Sequence, residues 1–226
     1  MSRKHDGPDE KKIDTGGDST EKVKKVKLDK NEKEDVQALY NRGEDLLKAG
    51  KDDDAIKCFV QVLSIHQDHL ETQQKLAMLY LQKQMYGAAA ALFQRLADLT
   101  EDPVHYSHWG LALYQQSSFA QAKLAYQKAI VLDSSRPQRF ASLSQVYRAM
   151  GHGYNAMIAL NKALELDDKR VEFLYLMADL QVELGNFKEA EESLKKIFEI
   201  DPKNQEAEAL MKEVERMRKE GANPLK

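Results

Sequence analysis

The chain has 226 residues, of which 42% are hydrophobic and 31% are charged, with five prolines and one cysteine, Cys58. This composition is typical of a soluble, largely helical protein, and a single cysteine excludes an intramolecular disulfide framework. The formal net charge of −3 argues against nucleic acid as the main partner, and no apolar run approaches the ~20 residues of a membrane span. We therefore expect a cytoplasmic protein with a sizeable apolar core.

The first part of the chain, residues 1–31, mixes Lys, Asp, Glu, Gly and Ser and contains no aromatic residue. Its few isolated apolar residues cannot form a core that offsets the entropy of ordering. We predict that residues 1–31 are a disordered charged tail. A weak electrostatic docking arm is the alternative.

From Glu32 onward, apolar residues recur with the period of a helix almost to the end of the chain. No alternating strand pattern and no Asn-Gly hairpin turn interrupts them. Helix-breaking residues are regularly placed: Gly50, Pro103, Pro137, Gly151, Gly185 and Pro202. The sequence therefore predicts an all-α chain in which short turns separate consecutive helices.

An internal repeat organises these helices. An alanine is followed four residues later by a large side chain at Ala55/Phe59, Ala89/Phe93, Ala122/Tyr126, Ala156/Leu160 and Ala190/Leu194. Successive alanines are 33 or 34 residues apart, and a second series of small residues has the same interval: Gly43, Ala77, Gly110, Ser144 and Ala178. Small residues let two helices approach closely, and the large residue fills the adjacent space.

These marks resemble the tetratricopeptide repeat, a helix pair of about 34 residues. Its signature positions are matched by Leu76, Ala77, Tyr80, Tyr86, Ala89 and Phe93, by Trp109, Gly110, Phe119, Ala122, Tyr126 and Ala129, and by Gly185, Phe187, Ala190 and Pro202. The resemblance implies a right-handed α-solenoid of five helix pairs. We place the repeats within 32–204, at 36–69, 70–102, 103–136, 137–170 and 171–204.

Three features depart from or extend the repeats. Residues 70–102 form a repeat that is one residue short, and Gly153 stands where an aromatic residue is usual, so we expect a looser turn there. The segment 205–220 places Ala207, Leu210 and Val214 on one helical face, which predicts a C-terminal capping helix. Residues 221–226 are predicted to be a tail.

Catalytic and metal-binding patterns are not evident. The pairs His66/His69 and His105/His108 lack the further ligands that zinc requires, and we interpret them as solvent-facing or turn histidines. Phosphate-binding loops and nucleophile motifs are also missing from the sequence. The prediction is a protein that is not an enzyme and that binds no metal or cofactor.

By resemblance, the first helix of each pair lines a concave groove. At groove-facing positions the chain has an apolar centre with glutamines around it, and Arg148 is placed to meet one acidic group. The predicted partner-binding residues are Tyr40, Gln74, Met78, Leu81, Leu111, Tyr114, Gln115, Gln145, Arg148 and Tyr175. Exposed apolar residues suggest a contact surface, although neighbouring helices or the N-terminal tail are an alternative cover for them.

Function is therefore expected to reside in the surface. The leading hypothesis is a scaffold or adaptor that binds a peptide or partner helix in the groove. An alternative is a chaperone-type assembly factor that shields an apolar client segment in a secretion, pilus or other complex. A third possibility is the regulatory part of a larger complex that includes an enzyme. The sequence does not identify the protein partner.

Overall fold

The computed structural model describes residues 28–220, which form eleven α-helices and no strand. The predicted tail at 221–226, and most of the predicted N-terminal tail, lie outside the described residues. The helices are Lys30–Lys48 (α1), Asp52–Ile65 (α2), Leu70–Gln82 (α3), Tyr86–Thr100 (α4), Pro103–Gln115 (α5), Phe119–Leu132 (α6), Pro137–Ala149 (α7), Gly153–Leu166 (α8), Val171–Glu183 (α9), Phe187–Ile200 (α10) and Gln205–Glu220 (α11).

The first helix begins inside the segment that was expected to be a tail, because a capping box starts it. The Asp29 side chain accepts a hydrogen bond from the Glu32 amide at 2.9 Å, and the Glu32 carboxylate accepts one from the Asp29 amide at 2.9 Å. This reciprocal pair satisfies two amides that a helix start leaves free. Lys30 and Asn31 are consequently helical.

Consecutive helices pack against each other along the chain, as in an α-solenoid whose repeats contact only their neighbours. Five helix pairs, α1/α2 through α9/α10, are followed by α11. The five repeat-marking alanines, one on each second helix, are completely buried: Ala55, Ala89, Ala122, Ala156 and Ala190. The prediction of an all-α solenoid of helix pairs is confirmed.

The close approach within a pair depends on a small residue that faces a large ring. A Cβ atom built on Gly43 would lie 2.6 Å from Phe59 Cε1, and one on Gly110 would lie 2.9 Å from Tyr126 Cδ2. Such distances are shorter than any normal carbon contact. The sequence analysis expected these small residues only to let the two helices approach. The glycines also provide the space in which the aromatic ring lies.

All five turns inside the pairs have the same construction. In each, the residue before the second helix donates its amide to a carbonyl five residues earlier at 2.8 or 2.9 Å. The preceding residue has a left-handed backbone, with φ of 69°, 59°, 62°, 75° and 75° at Gly50, Gln84, Ser117, Gly151 and Gly185. Glycine adopts this conformation without strain, whereas Gln84 and Ser117 do not.

The turn before Gly153 is not looser than the others, so that expectation is wrong. Gly151 and His152 make the same turn as the other pairs. The volume of the missing aromatic ring is occupied from the next repeat: a Cβ on Gly153 would lie 2.6 Å from Leu184 Cδ2. Gly153 thus accommodates a neighbouring leucine.

The missing residue of the second repeat falls in its connection to the third. Only Glu101 and Asp102 separate α4 from α5, whereas four residues separate the other successive pairs. Glu101 turns the chain in a left-handed conformation with φ of 50°, and the Asp102 side chain caps α5 by accepting from the Val104 amide at 2.7 Å. The second and third repeats are therefore joined by the shortest connection.

The last helix covers the apolar edge of the fifth pair. Ala207, Leu210 and Val214 of α11 are buried in one cluster with Leu194 and Ile197 of α10. None of the helices between residues 28 and 220 is sufficiently long and apolar to cross a membrane.

We predict opposite effects for two glycine-to-alanine substitutions. Gly43→Ala should lower the free energy of unfolding by about 1–3 kcal/mol, since the new methyl group overpacks the buried Phe59 ring. Gly87→Ala is the matched control, because its nearest neighbour is Gln116 Oε1 at 3.6 Å, and it should raise stability by about 0.4–1 kcal/mol. Urea unfolding measures both, and an unchanged or stabilised Gly43→Ala protein would contradict the packing argument.

We also predict that removal of residues 205–226 lowers the melting temperature and causes self-association, because Leu194 and Ile197, both 0% exposed, lose their cover. A chain that ends at Glu220 is the control. Scanning calorimetry and sedimentation velocity provide the measurement. A truncated chain that stays monomeric and melts at the original temperature would show that α11 is not a cap.

Candidate binding surfaces

Two surfaces are defined by the helix pairs. The first-helix face is formed by α1, α3, α5, α7 and α9, and the second-helix face by α2, α4, α6, α8 and α10. All ten residues predicted to bind a partner lie on first helices, and none of them is fully buried. Met78 and Leu111 are each 37% exposed, while Leu81 and Tyr114 pack partly against the central core.

A cavity of about 340 Å³ opens on the first-helix face between α5 and α7. Of the ten predicted residues, only Leu111 lines it. The others that line it are Val104, Ser107, His108, Tyr126, Arg136, Gln138, Arg139 and Ser142. Reasoning from family positions missed Arg136, Arg139 and His108, since these lie outside the five groove-facing positions of a repeat.

Arg139 forms a fixed wall of this cavity. Its side chain is 4% exposed, and it donates to Ser107 Oγ at 3.1 Å and to the Asp133 carboxylate at 2.6 Å. The Ser135 hydroxyl and the Arg139 guanidinium hold the pKa of the Asp133 carboxyl well below its usual range. The charge of Arg139 is therefore already compensated, and the residue ties α7 to α5.

Arg136 differs from Arg139 in its environment. Its side chain is 68% exposed, and the nearest approach to Asp133 is 3.9 Å. An exposed ion pair at that distance contributes little. Arg136 thus places an available positive charge at the rim of the cavity.

His108 contributes a polar group to the same cavity. Its Nδ1 is buried and has no hydrogen-bond partner among the described residues, and its ring lies 5.0 Å from that of Phe93. Burial lowers the pKa of His108, which favours the neutral imidazole. An unpaired buried nitrogen is costly, and this one has almost no accessible surface, so it is not open to a ligand in the cavity.

The interpretation of the histidine pairs needs one correction. His66 and His69 are at the α2–α3 turn, as expected, and His69 Nδ1 accepts from the Thr72 amide at 3.3 Å. His105 and His108 lie inside α5 instead, where they face α4: the His105 ring bonds to Thr100 Oγ1 at 2.8 Å. Across residues 28–220, no three His, Cys, Asp or Glu side chains are placed to share a metal ion.

Arg148 has its acidic partners within the chain. Its Nε donates to Glu183 Oε2 at 2.8 Å, and its Nη2 lies 2.7 Å from Asp179 Oδ2. Both carboxylates belong to α9, so the cluster bridges the fourth and fifth repeats. The positive charge of Arg148 is therefore already paired within the chain, so the predicted pairing with an acidic group of a partner is not favoured.

The second-helix face carries exposed apolar residues that the sequence analysis did not select. Leu124 is 62% exposed, Val131 81%, Tyr154 73% and Ile158 64%. A second cavity, of about 400 Å³, lies between α4 and α6 with half-buried Trp109 of α5 at its wall. The sequence contains a signal for this surface, because polar residues at these positions of the first and fifth repeats are replaced by apolar residues in the central repeats.

Comparison with known proteins identifies the family. Two family profiles, both described as tetratricopeptide repeat, match residues 40–105 and 147–214, which together make up more than half of the chain. The chain belongs to the tetratricopeptide repeat family. A search of curated proteins found no match.

Solved structures share the fold. A crystal structure of MamA protein aligns with a TM-score of 0.70 at 23% identity, over 76% of this chain and 94% of that one. YrrB, described as "a TPR protein with an unusual peptide-binding site", aligns with 0.67 at 19%, over 80% and 93%. TTC0263, a thermophilic TPR protein of Thermus thermophilus, aligns with 0.56 at 22%, over 80% and 99%. These similarities establish the tetratricopeptide fold alone.

The partly buried His108 predicts a dependence of stability on pH. Because its pKa is lowered in the folded state while the unfolded value is about 6.5, the unfolded chain binds more protons below that pH, and the free energy of unfolding falls. Urea unfolding at pH 7.5 and 5.5 should show a smaller fall in His108→Gln than in the native chain. His152→Gln, at an exposed position, is the control. An equal fall in both variants would contradict the role of His108.

Proposed function

We propose that this tetratricopeptide protein is an interaction scaffold or adaptor that holds a peptide or partner helix in a concave groove on its first-helix face. The observation that carries the proposal is the cavity between α5 and α7, where exposed Val104 and Leu111 lie beside the available charge of Arg136. Pockets of about 300–1,000 Å³ with apolar walls and a few polar groups are typical ligand sites. The peptide-binding site described for YrrB supports the same kind of role.

The lining suggests how a peptide is recognised. An apolar side chain enters between Val104 and Leu111, and a neighbouring acidic group pairs with Arg136 through charge-assisted hydrogen bonds. Exposed Gln74 and Gln115 offer donors and acceptors to the peptide backbone. The role that the sequence analysis gave to Arg148 passes to Arg136, since Arg148 is already paired.

A scaffold is favoured over a chaperone-type factor by the polar groups in the cavity. Exposed Arg136 selects for partners with a matching acidic group, whereas shielding of varied apolar segments requires no such match. We propose no catalytic role, since members of this family serve as interaction modules. A cytoplasmic location is also proposed, supported by the single buried cysteine, Cys58.

Leu111→Glu tests the groove. Burial of a leucine in a contact is worth roughly 1.5–3 kcal/mol, so a carboxylate at this position should reduce partner capture at least about tenfold. Quantitative mass spectrometry of co-purifying proteins measures the loss, and circular dichroism checks helicity. Val60→Glu, on α2 at 45% exposure, is the matched control.

Two results would contradict the proposal. If Leu111→Glu unfolds the protein, Leu111 belongs to the core and the groove is misplaced. If the variant folds and captures every partner at the native level, the first-helix face is not the binding surface.

A further inference from the structure

The most exposed large apolar side chains of residues 28–220 are outside the proposed groove. Leu124 and Val131 lie on α6, and Tyr154 and Ile158 on α8, with 62–81% of each residue exposed. Four such residues on adjacent repeats are more than the scattered exposed leucines of an ordinary surface. The second-helix face therefore needs an explanation of its own.

Comparison of the repeats shows that packing does not require these residues. The position of Leu124 and Ile158 is held by Lys57 in the first repeat and Glu192 in the fifth. The position of Tyr154 is held there by Asp53 and Lys188, and that of Val131 by Ser64 and Glu199. These three positions are exposed in all five repeats. The fold tolerates charge at each of them, so apolar residues in the central repeats serve another purpose.

A hollow lies next to this apolar ridge. In the second repeat, Gly87 stands at the position of Tyr154, and Ala91 stands at the position of Leu124 and Ile158. Both line the cavity of about 400 Å³ together with Leu124. Half-buried Trp109 and buried Leu113 of α5 also line it. The face thus combines a recess between α4 and α6 with projecting side chains on α8, a shape that suits an inserted side chain.

The charge of this face is positive. Its helices α4, α6 and α8 carry four cations, Arg95, Lys123, Lys128 and Lys162, against two acidic residues, Asp98 and Glu165. Whole-chain counts hide this excess because the outer repeats are acidic. On α6 no acidic side chain is present, and no ion pair of Lys123 or Lys128 is found within residues 28–220.

Cations and apolar residues are arranged in parallel rows. One turn after Ala91, Leu124 and Ile158 come Arg95, Lys128 and Lys162, and residues four apart lie on one helix face. Arg95 and Lys162 are paired with Asp68 and Glu165, whereas Lys128 is open. A partner that crosses α4, α6 and α8 thus meets an apolar row with the open cation Lys128 beside its middle.

We propose that the second-helix face of repeats two to four is a second binding site, and that its occupant is an amphipathic helix with acidic residues along one edge of its apolar stripe. Such a helix places its apolar side chains on Leu124 and Ile158 and into the recess by Trp109, and its carboxylates near Lys128. The chain's own amphipathic α11 is not available, since its apolar face is buried on α10. This site is separate from the proposed groove.

The test uses the full chain and a surface-displayed library of 18-residue amphipathic helices. Apolar positions in the library are restricted to Leu, Ile, Phe and Met, and the flanking positions vary among Glu, Gln and Lys. Selection on the native chain should enrich Glu flanks, and the enriched peptide, made synthetically, should bind at least tenfold more tightly than its Lys counterpart. Fluorescence anisotropy measures the affinity, which should fall as salt increases.

Variants locate the contact. The double variant Leu124→Gln/Ile158→Gln, at exposed positions that polar residues occupy in other repeats, should weaken binding of the enriched peptide at least tenfold. Lys128→Gln should reduce the preference for Glu over Lys flanks. Leu111→Gln, on the first-helix face, and Val60→Gln, on α2, should leave the affinity unchanged, so a failure of the groove proposal is distinguished from a failure of this one.

Other outcomes would overturn the proposal. No enrichment, or enrichment independent of the flanking charge, contradicts an acidic helix as the occupant. Loss of binding in Leu111→Gln but not in the double variant assigns the peptide to the first-helix face. If the native chain forms concentration-dependent dimers that the double variant abolishes, the face binds a second copy of the chain instead. If the native chain binds vesicles of phosphatidylcholine and phosphatidylserine and the double variant does not, the face binds a membrane surface instead.

Discussion

The solenoid depends on the contact between a small residue on each first helix and a large side chain on its partner. Where that residue is glycine, the aromatic ring lies so close that even a methyl group has no room. The other three repeats use the same register with alanine or serine. In two of them a leucine, Leu160 or Leu194, takes the place of the ring. Since each helix pair packs only against its neighbouring pairs, this one spacing sets which side of every helix is buried and which side is exposed.

The sequence predicts this framework well because the pattern that encodes it is local and repeated. Helix pairs, their small-residue contacts and the family follow from a period of 33 or 34 residues. The start of α1 at Lys30 was also readable, since Asp29 and Glu32 have capping-box spacing, but the charge-rich composition concealed it. The contact between Leu184 and Gly153 could not be predicted from the sequence. The repeat consensus does not say which residue of the next repeat packs where an aromatic residue is missing.

The candidate sites are less predictable because they depend on which side chains pair across repeats. Arg148 and Arg136 have the same charge in the sequence, yet the first is held by Asp179 and Glu183 while the second remains exposed. His108 is polar by type, yet its ring is partly buried against α4. On the second-helix face the excess of cations is confined to α4, α6 and α8, so the average charge of the chain hides it. Family positions indicate only the proposed binding face, whereas the pairing of side chains decides which charges on it are available.

The left-handed turns at Gln84 and Ser117 add a dynamic consequence. A side chain in this conformation costs roughly 1–2 kcal/mol, and local opening of the turn releases that strain. The turns of the other repeats have glycine at this position and are free of this strain: Gly50, Gly151 and Gly185. The hairpins of the second and third repeats are therefore where amide hydrogen exchange begins most readily. Because these two repeats together line the cavity between α4 and α6, the walls of that cavity belong to the part of the solenoid that adjusts its shape at least cost.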